Sequence, residues 1–404
     1  MIYFVLFIMS CGVLNAGYSY LFGFLMIVIG YQFYKNRDVS LNFLQKPEIW
    51  ILLSFGITYV LFDELTGTNL QNYLLLPVMA YIIGWTCNDL SENPSDGIKN
   101  CVVALTLGFG TNVVLNYFAN IGHTRYQLVE FWTGQVRAAT GSGFLNTFIV
   151  SLVLYTIIYE KRIWLKIILS VLTVFSLLYM FMLGTRTQFI VLFVVLIVGV
   201  LVYMYQKHKM LGVFKSLMIF TICTAVILCM YIFNVFHLAD FINSSNIANR
   251  YYDKVGLSHS NQGRIEAFIE GVQGLFLYPF GGLHSESYRH NMWLDIGRVS
   301  GLIPFIIMIV FSCITFNHML KMFKNRNSDS AMRFLILCLY IGVMINFFVE
   351  PIMEGLLNFF LGFCVVNGMI DCYYYKNISP YVSQRTLITT ENKTFMRDDK
   401  IEND

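Results

Sequence analysis

The sequence predicts an all-α, polytopic integral membrane protein of about twelve transmembrane helices, with a long outer loop carrying an amphipathic helix. Three observations predict it. Of 404 residues, 57% are hydrophobic and 13% charged, whereas a soluble domain is about a quarter charged. Stretches such as 191–205 and 217–236 are nearly unbroken apolar runs, and a span needs about 20 such residues. Basic residues also sort between alternate loops, as membrane topology requires. No hydrophilic segment is long enough to fold separately, so 1–375 reads as one transmembrane domain and 376–404 as a polar cytoplasmic tail. The net charge of +3 says nothing about nucleic acid, and no nucleic-acid partner is expected.

In chain order, the apolar runs place spans near 2–15, 19–34, 48–62, 71–87, 100–118, 143–159, 165–183, 188–205, 216–236, 291–316, 333–350 and 355–373. The first three are short, so a count of ten or eleven stays open. The first run starts at Ile2 with no basic segment before it, which reads as a retained span and not a removed signal peptide. One set of loops holds Lys35, Arg37, Lys46, Lys99, Lys161, Arg162, Lys166, Lys207, Lys209, Lys215, Lys321, Lys324, Arg326 and Arg333. The positive-inside rule makes this side, and both termini, cytoplasmic. The nine cysteines all lie in or beside apolar runs without a CxxC pair and read as small hydrophobes.

The opposite side holds Arg125, Arg137, Arg186, Arg250, Lys254, Arg264, Arg289 and Arg298, so seven of its eight cations are Arg. Arg grips phosphate or carboxylate with a planar fork of donors, where Lys is a point charge. His123, His237, His259, His284 and His290 face the same way. The working face is therefore expected to point outward. Two outer loops are long, about 119–142 and 237–289, and long loops without a fold of their own are often functional. Within the second, Gln262 to Tyr278 has helical periodicity, with Ile265, Phe268, Ile269, Val272, Leu275 and Phe276 on one face. That pattern suits a helix lying at the membrane surface, ended by the turn at Pro279, Gly281 and Gly282.

Polar residues concentrate in Asn249 to Gly301, and cationic or titratable groups are costly beside a bilayer unless they serve a site. Arg186 sits in the short outer turn Gly184-Thr185-Arg186-Thr187, at the depth of a headgroup or pyrophosphate; a snorkelling interfacial Arg is an equal reading. Arg264 opens the expected surface helix, where an N-terminus favours phosphate; a surface ion pair with Glu266 or Glu270 competes. His290 and Asn291 precede Trp293, Asp295 and Arg298 as the chain re-enters the membrane. At helical spacing His290, Leu294 and Arg298 share one side. A His there can serve as general base or hold a hydroxyl, against a plain capping role. Phe131 and Trp132, between Arg125 and Arg137, could line a glycan groove, though an interfacial aromatic belt is the commoner explanation. Glu350 and Glu354 could pair with the Arg set or act as acid or base. The outer His and acids lack metal-binding spacing, and no nucleotide loop is present, so neither metal nor cofactor is expected.

Arg264 to Phe268, the Pro279-Phe280-Gly281-Gly282 turn, and His290-Asn291-Met292-Trp293-Leu294 leading to Gly301-Leu302 resemble the O-antigen polymerase and ligase superfamily. Its members share an Arg-helix-Pro-x-x-Gly-x-x-His-Asn-x-x-Leu pattern in their long outer loop. The Gly184 to Thr187 turn resembles the family's earlier small-x-Arg element, and Phe131 to Gly134 with Ala139-Thr140-Gly141 looks like the polymerase branch. The resemblance covers about 110–310; Arg289 and a crowded His284 depart from the pattern. It implies a metal-independent glycosyltransferase acting on undecaprenyl-pyrophosphate-linked oligosaccharide at the outer face of the cytoplasmic membrane. Arg186 and Arg264 would hold the pyrophosphate, and His290 would take the acceptor proton. Arg289, Arg298, Asn291, Arg250, Trp132, Arg137 and Arg125 would bind substrate. A separate chain-length regulator protein is the partner the resemblance implies. A ligase acting on lipid A-core would share the site chemistry. A flippase would need mid-span charges and two related halves, which are not seen, and a non-enzymatic scaffold leaves the outward Arg and His set unexplained.

Overall fold

The computed structural model describes residues 1–14, 18–35, 41–63, 66–207, 232–235, 238–246, 248, 254–283, 286–355 and 357–379. Long apolar runs with no water to bond their backbone must satisfy N–H and C=O internally, and they do so as helices. We label the longer ones α1 (Ile2–Cys11), α2 (Tyr18–Lys35), α3 (Pro47–Phe62), α4 (Leu76–Asp89), α5 (Pro94–Ala119), α6 (Ala139–Ile158), α7 (Ile163–Leu183), α8 (Arg186–Lys207), α9 (Lys254–Leu277), α10 (Met292–Ser300), α11 (Leu302–Lys324), α12 (Ser330–Val349) and α13 (Leu357–Asn377). Seven of these, α5 to α8 and α11 to α13, are long and apolar enough to cross a membrane. Apart from an isolated bridge between Val129 and Val136, the described secondary structure is helical.

The bundle is layered around α13. Its most apolar 18-residue window is wholly buried, whereas those of α7 and α8 are a third buried and leave the rest to lipid. α13 packs most closely on α4, where a Cβ on Gly84 would lie 2.0 Å from Val365 O and one on Gly368 would lie 2.1 Å from Tyr81 O. Small residues at such a crossing let two membrane helices touch backbone to backbone.

Several expected spans differ in detail. The run 291–316 is not one span, because Gly301 (φ 87) separates α10 from α11. The run 143–159 starts earlier, at Ala139, and is broken into Ala139–Gly143, Asn146–Ser151 and Val153–Ile158. The run 71–87 enters through a π-helical turn, Leu70–Leu75. The surface helix is longer than its apolar periodicity, beginning at Lys254. Its apolar face divides: Leu275 is buried against α10, while Ile265, Phe268, Ile269 and Phe276 are exposed. The expected span 216–236 lies largely outside the described residues, as does the tail beyond Ser379.

Candidate functional site

Two helix ends create the site. α7 stops where Gly184 adopts φ 62, its N–H bonding Met180 O at 3.0 Å, and α8 starts at Arg186. A Cβ at residue 184 would meet Asn246 at 3.0 Å, so the turn is closed over by that segment and favours Gly on both counts. Arg125 donates to the carbonyls of Leu183 and Gly184, bracing the same turn. Nearby, α12 ends at Val349. Glu350 is extended (φ −146, ψ 152), as a residue before proline prefers. Beneath the two ends, Gln188 donates to Asn346 (2.8 Å), Asn346 to Thr147 (2.9 Å) and Thr147 to Gln188 (3.1 Å). This closed ring of buried polar bonds fixes α6, α8 and α12 relative to one another.

Glu350 is the hub. It is 1% exposed, and its Oε1 accepts from Thr187 Oγ1 (3.0 Å) and Arg264 Nη2 (3.3 Å). Its Oε2 lies 3.7 Å from His290 Nδ1. Neither of those two buried atoms has a hydrogen-bond partner among the described residues. The carboxylate thus joins α8, α9 and the segment before α10. Thr140, Thr185, Arg186, Thr187, Ile190, Arg264 and Glu350 line a cavity of about 140 Å³. Two guanidiniums and one carboxylate face it, so its lining is net positive. Arg264 and His290 are each about one-third exposed, so both remain reachable.

The sequence-predicted residues separate into those at this cavity and those that build around it. Arg264 and His290, distant in sequence, both approach Glu350, and Arg186 lines the cavity that Arg264 and Glu350 share. Arg264 does not open its helix. It lies ten residues inside α9, so the helix N-terminus facing the cavity is that of α8, and the anion-binding argument transfers to Arg186. Its ion-pair partner is Glu350, not Glu266 or Glu270; Glu266 accepts from Gln262 (2.8 Å) and Glu270 pairs with Arg289 (2.7 Å). His290 is not on the helix with Leu294 and Arg298. It has φ 51, ahead of the N-cap Asn291, which accepts from Leu294 N at 3.1 Å. A left-handed histidine is strained, and such strain often marks function.

Arg289 and Arg298 are committed to protein partners. Arg289 is buried between Glu270 and Glu286, and Arg298 pairs with Asp295 at 2.9 Å while donating to Leu283 O at 2.8 Å. Together they tie α9, the following turn and α10 into one unit. That unit closes where the Pro279 turn docks on the Gly301 break: Leu302 N bonds Pro279 O at 2.8 Å, and Gly282 N bonds Val299 O at 2.9 Å. A Cβ on Gly281 would lie 2.4 Å from Val299 O, and one on Gly301 2.2 Å from Pro279 O, so the two glycines are mutually required. The Pro-Gly-Gly and His-Asn motifs therefore act as a scaffold that aims His290.

Trp132 donates to Cys11 O at 2.9 Å and packs edge-on against Phe131, and it does not line the cavity. Arg137 pairs its backbone with Leu128 (2.9 Å) in the loop between α5 and α6, which Asn116 and Asn120 pin to α5. The backbone and side chain of Arg250 lie outside the described residues. The expected pairing of Glu350 with the Arg set is seen with Arg264; what the sequence alone missed is its centrality, for which the one signal is an acid followed by Pro at a span end. A scan against models of known protein families finds no match to this chain. A search of curated proteins likewise finds no significantly similar sequence.

Proposed function

We propose that this chain is a membrane glycosyltransferase that polymerises a surface polysaccharide. It would transfer a growing glycan from a polyprenyl pyrophosphate to the terminal sugar of the next lipid-linked repeat. The observation that carries this reading is the approach of Arg264 and His290 to buried Glu350, beside a net-positive cavity that Arg186 also lines. The proposed address is the outer face of the cytoplasmic membrane, with about twelve spans and both termini inside. The Lys-rich loops at the opposite end of the bundle support that orientation.

In the proposed reaction an acceptor hydroxyl attacks the anomeric carbon of the donor glycan. The bond from that carbon to the pyrophosphate oxygen breaks, and polyprenyl pyrophosphate leaves with the electron pair. Arg186, the N-terminal end of α8 and Arg264 stabilise the charge that develops on the leaving group. Imidazole accepts the proton from the acceptor hydroxyl. Glu350 beside Nδ1 fixes the ring's tautomer and supports the imidazolium, as a carboxylate does behind a catalytic histidine. Cleavage of the activated linkage drives the transfer, so the scheme calls on no nucleotide.

The test is a surface-glycan gel from a strain lacking this protein, complemented with wild type or His290→Ala. A polymerase predicts cores with a single repeat in the deletion strain, a ladder with wild type, and no ladder with the variant. Bare cores with long polymer still on the lipid carrier would reassign the chain to ligation, and an intact ladder in the deletion strain would remove the reading altogether.

A further inference from the structure

At the other end of the bundle lies a second carboxylate and histidine cluster that the transfer reaction does not use. Glu48 is the second residue of α3, and Asp371 sits in the last third of α13. His318 is 16 residues along α11 from Leu302, roughly 24 Å at the helical rise. All three are buried, and one ligand atom from each lies within 4.8 Å of the others. His318 Nδ1 is 2.8 Å from Asp371 Oδ1 and 3.7 Å from Glu48 Oε1. The His318 ring stacks on Tyr374 at 4.0 Å.

Two carboxylates and one imidazole do not balance in charge when all three ionise, and uncompensated buried charge is expensive. Nearby cations are engaged elsewhere. Lys46 lies over the Tyr375 ring at 4.1 Å, and Lys321 donates to Tyr374 Oη at 3.2 Å. Each carboxylate is held by a tyrosine: Tyr81 Oη donates to Asp371 Oδ2, the oxygen turned from His318, and Tyr375 Oη to Glu48 Oε1, the oxygen that faces it, both at 2.8 Å. The remaining oxygen, Glu48 Oε2, is buried and has no hydrogen-bond partner among the described residues. Carboxylates held by hydroxyls beside an imidazole, with one buried carboxylate oxygen unpartnered, make the arrangement of a metal site and its supporting shell.

We propose that Glu48, His318 and Asp371 bind a first-row divalent cation of the zinc or manganese class. One imidazole with two carboxylates suits those ions, whereas magnesium and calcium favour oxygen alone. The ion would neutralise the buried charge and tie α3, α11 and α13 at their common end. Its role is structural, and the proposal stands or falls independently of the glycan reaction at the far end of α11.

The experiment uses full-length protein purified in detergent, loaded with Zn²⁺ or Mn²⁺, desalted and assayed for metal by mass spectrometry, with thermal unfolding followed in parallel. Wild type and His290→Ala should retain stoichiometric metal and unfold at higher temperature with it. Asp371→Asn and the near-isosteric Glu48→Gln should lose the ion and the shift. Equal retention by wild type and Glu48→Gln would overturn the site. So would a wild-type unfolding temperature that responds to pH but not to metal, which would mark the cluster as a proton-holding group instead.

Discussion

Two clusters that each set a histidine beside a buried carboxylate sit at opposite ends of this bundle, and they differ in access. Around Glu350 the carboxylate is buried, but its neighbours Arg264 and His290 are about one-third exposed, and Arg264 borders a cavity. Around Asp371 every member is sealed, and tyrosine hydroxyls close the shell. The first arrangement keeps its positive charge available to an incoming anion. The second directs its donors inward. A carboxylate beside a histidine is thus no functional signature by itself; what sets the chemistry is which members of the cluster meet solvent.

Substitutions should separate the two ends. Glu350→Gln keeps the shape of the hub but removes the charge beside His290 and Arg264, and should lower glycan transfer by roughly 10²-fold while the protein still inserts. Transfer at wild-type rate would leave Glu350 with scaffolding alone. At the other end, Asp371→Ala leaves His318 and Tyr81 without their partner. It should cost about 3 kcal/mol of stability, read as earlier thermal unfolding, with little change in turnover per folded molecule. Gly301→Ala tests the scaffold between them. A side chain at φ 87, pressed on Pro279 O, should cost about 1–3 kcal/mol and misplace His290. Activity falling further than stability would confirm that the break aims the histidine.

The smallest effect concerns Glu160, a carboxylate at the Lys-rich end. Burial would raise its pKa, but hydrogen bonds from Arg162, at 3.0 Å from Nε, outweigh that and hold it below the ordinary carboxylate range. A lowered native pKa adds stability above the unfolded value that is lost as pH falls through the native one. Wild type should therefore lose more stability than Glu160→Gln on acidification, by less than about 1 kcal/mol because Arg162 is nearly half exposed. Equal acid sensitivity of the two proteins would contradict the pairing.

The helical, membrane-spanning character was legible because apolar length depends on composition alone, and α7, α8 and α12 fall close to the expected positions. The breaks were not legible. Gly301 ends α10 because the Pro279 turn presses on it from outside, a contact between segments that no periodicity reports. Arg186, Arg264 and His290 could be singled out as cationic or titratable residues near a membrane face. Their placement around Glu350 and its cavity depends on packing of α8 against α12, which hydropathy does not encode. The same limit explains Arg289 and Arg298. From charge they looked like substrate ligands, and only the fold reveals that Glu270, Glu286 and Asp295 take them up. Glu48, His318 and Asp371 are far apart in sequence and each unremarkable there.

The most direct test is transfer by the purified protein in liposomes, supplied with a polyprenyl-pyrophosphate-linked repeat unit and followed by gel and by release of polyprenyl pyrophosphate. A polysaccharide ladder with matching lipid release from wild type, and neither from His290→Ala or from Arg186→Ala, is the result expected of the Glu350 cluster as the transfer site. A ladder of equal length and rate from either variant would contradict it.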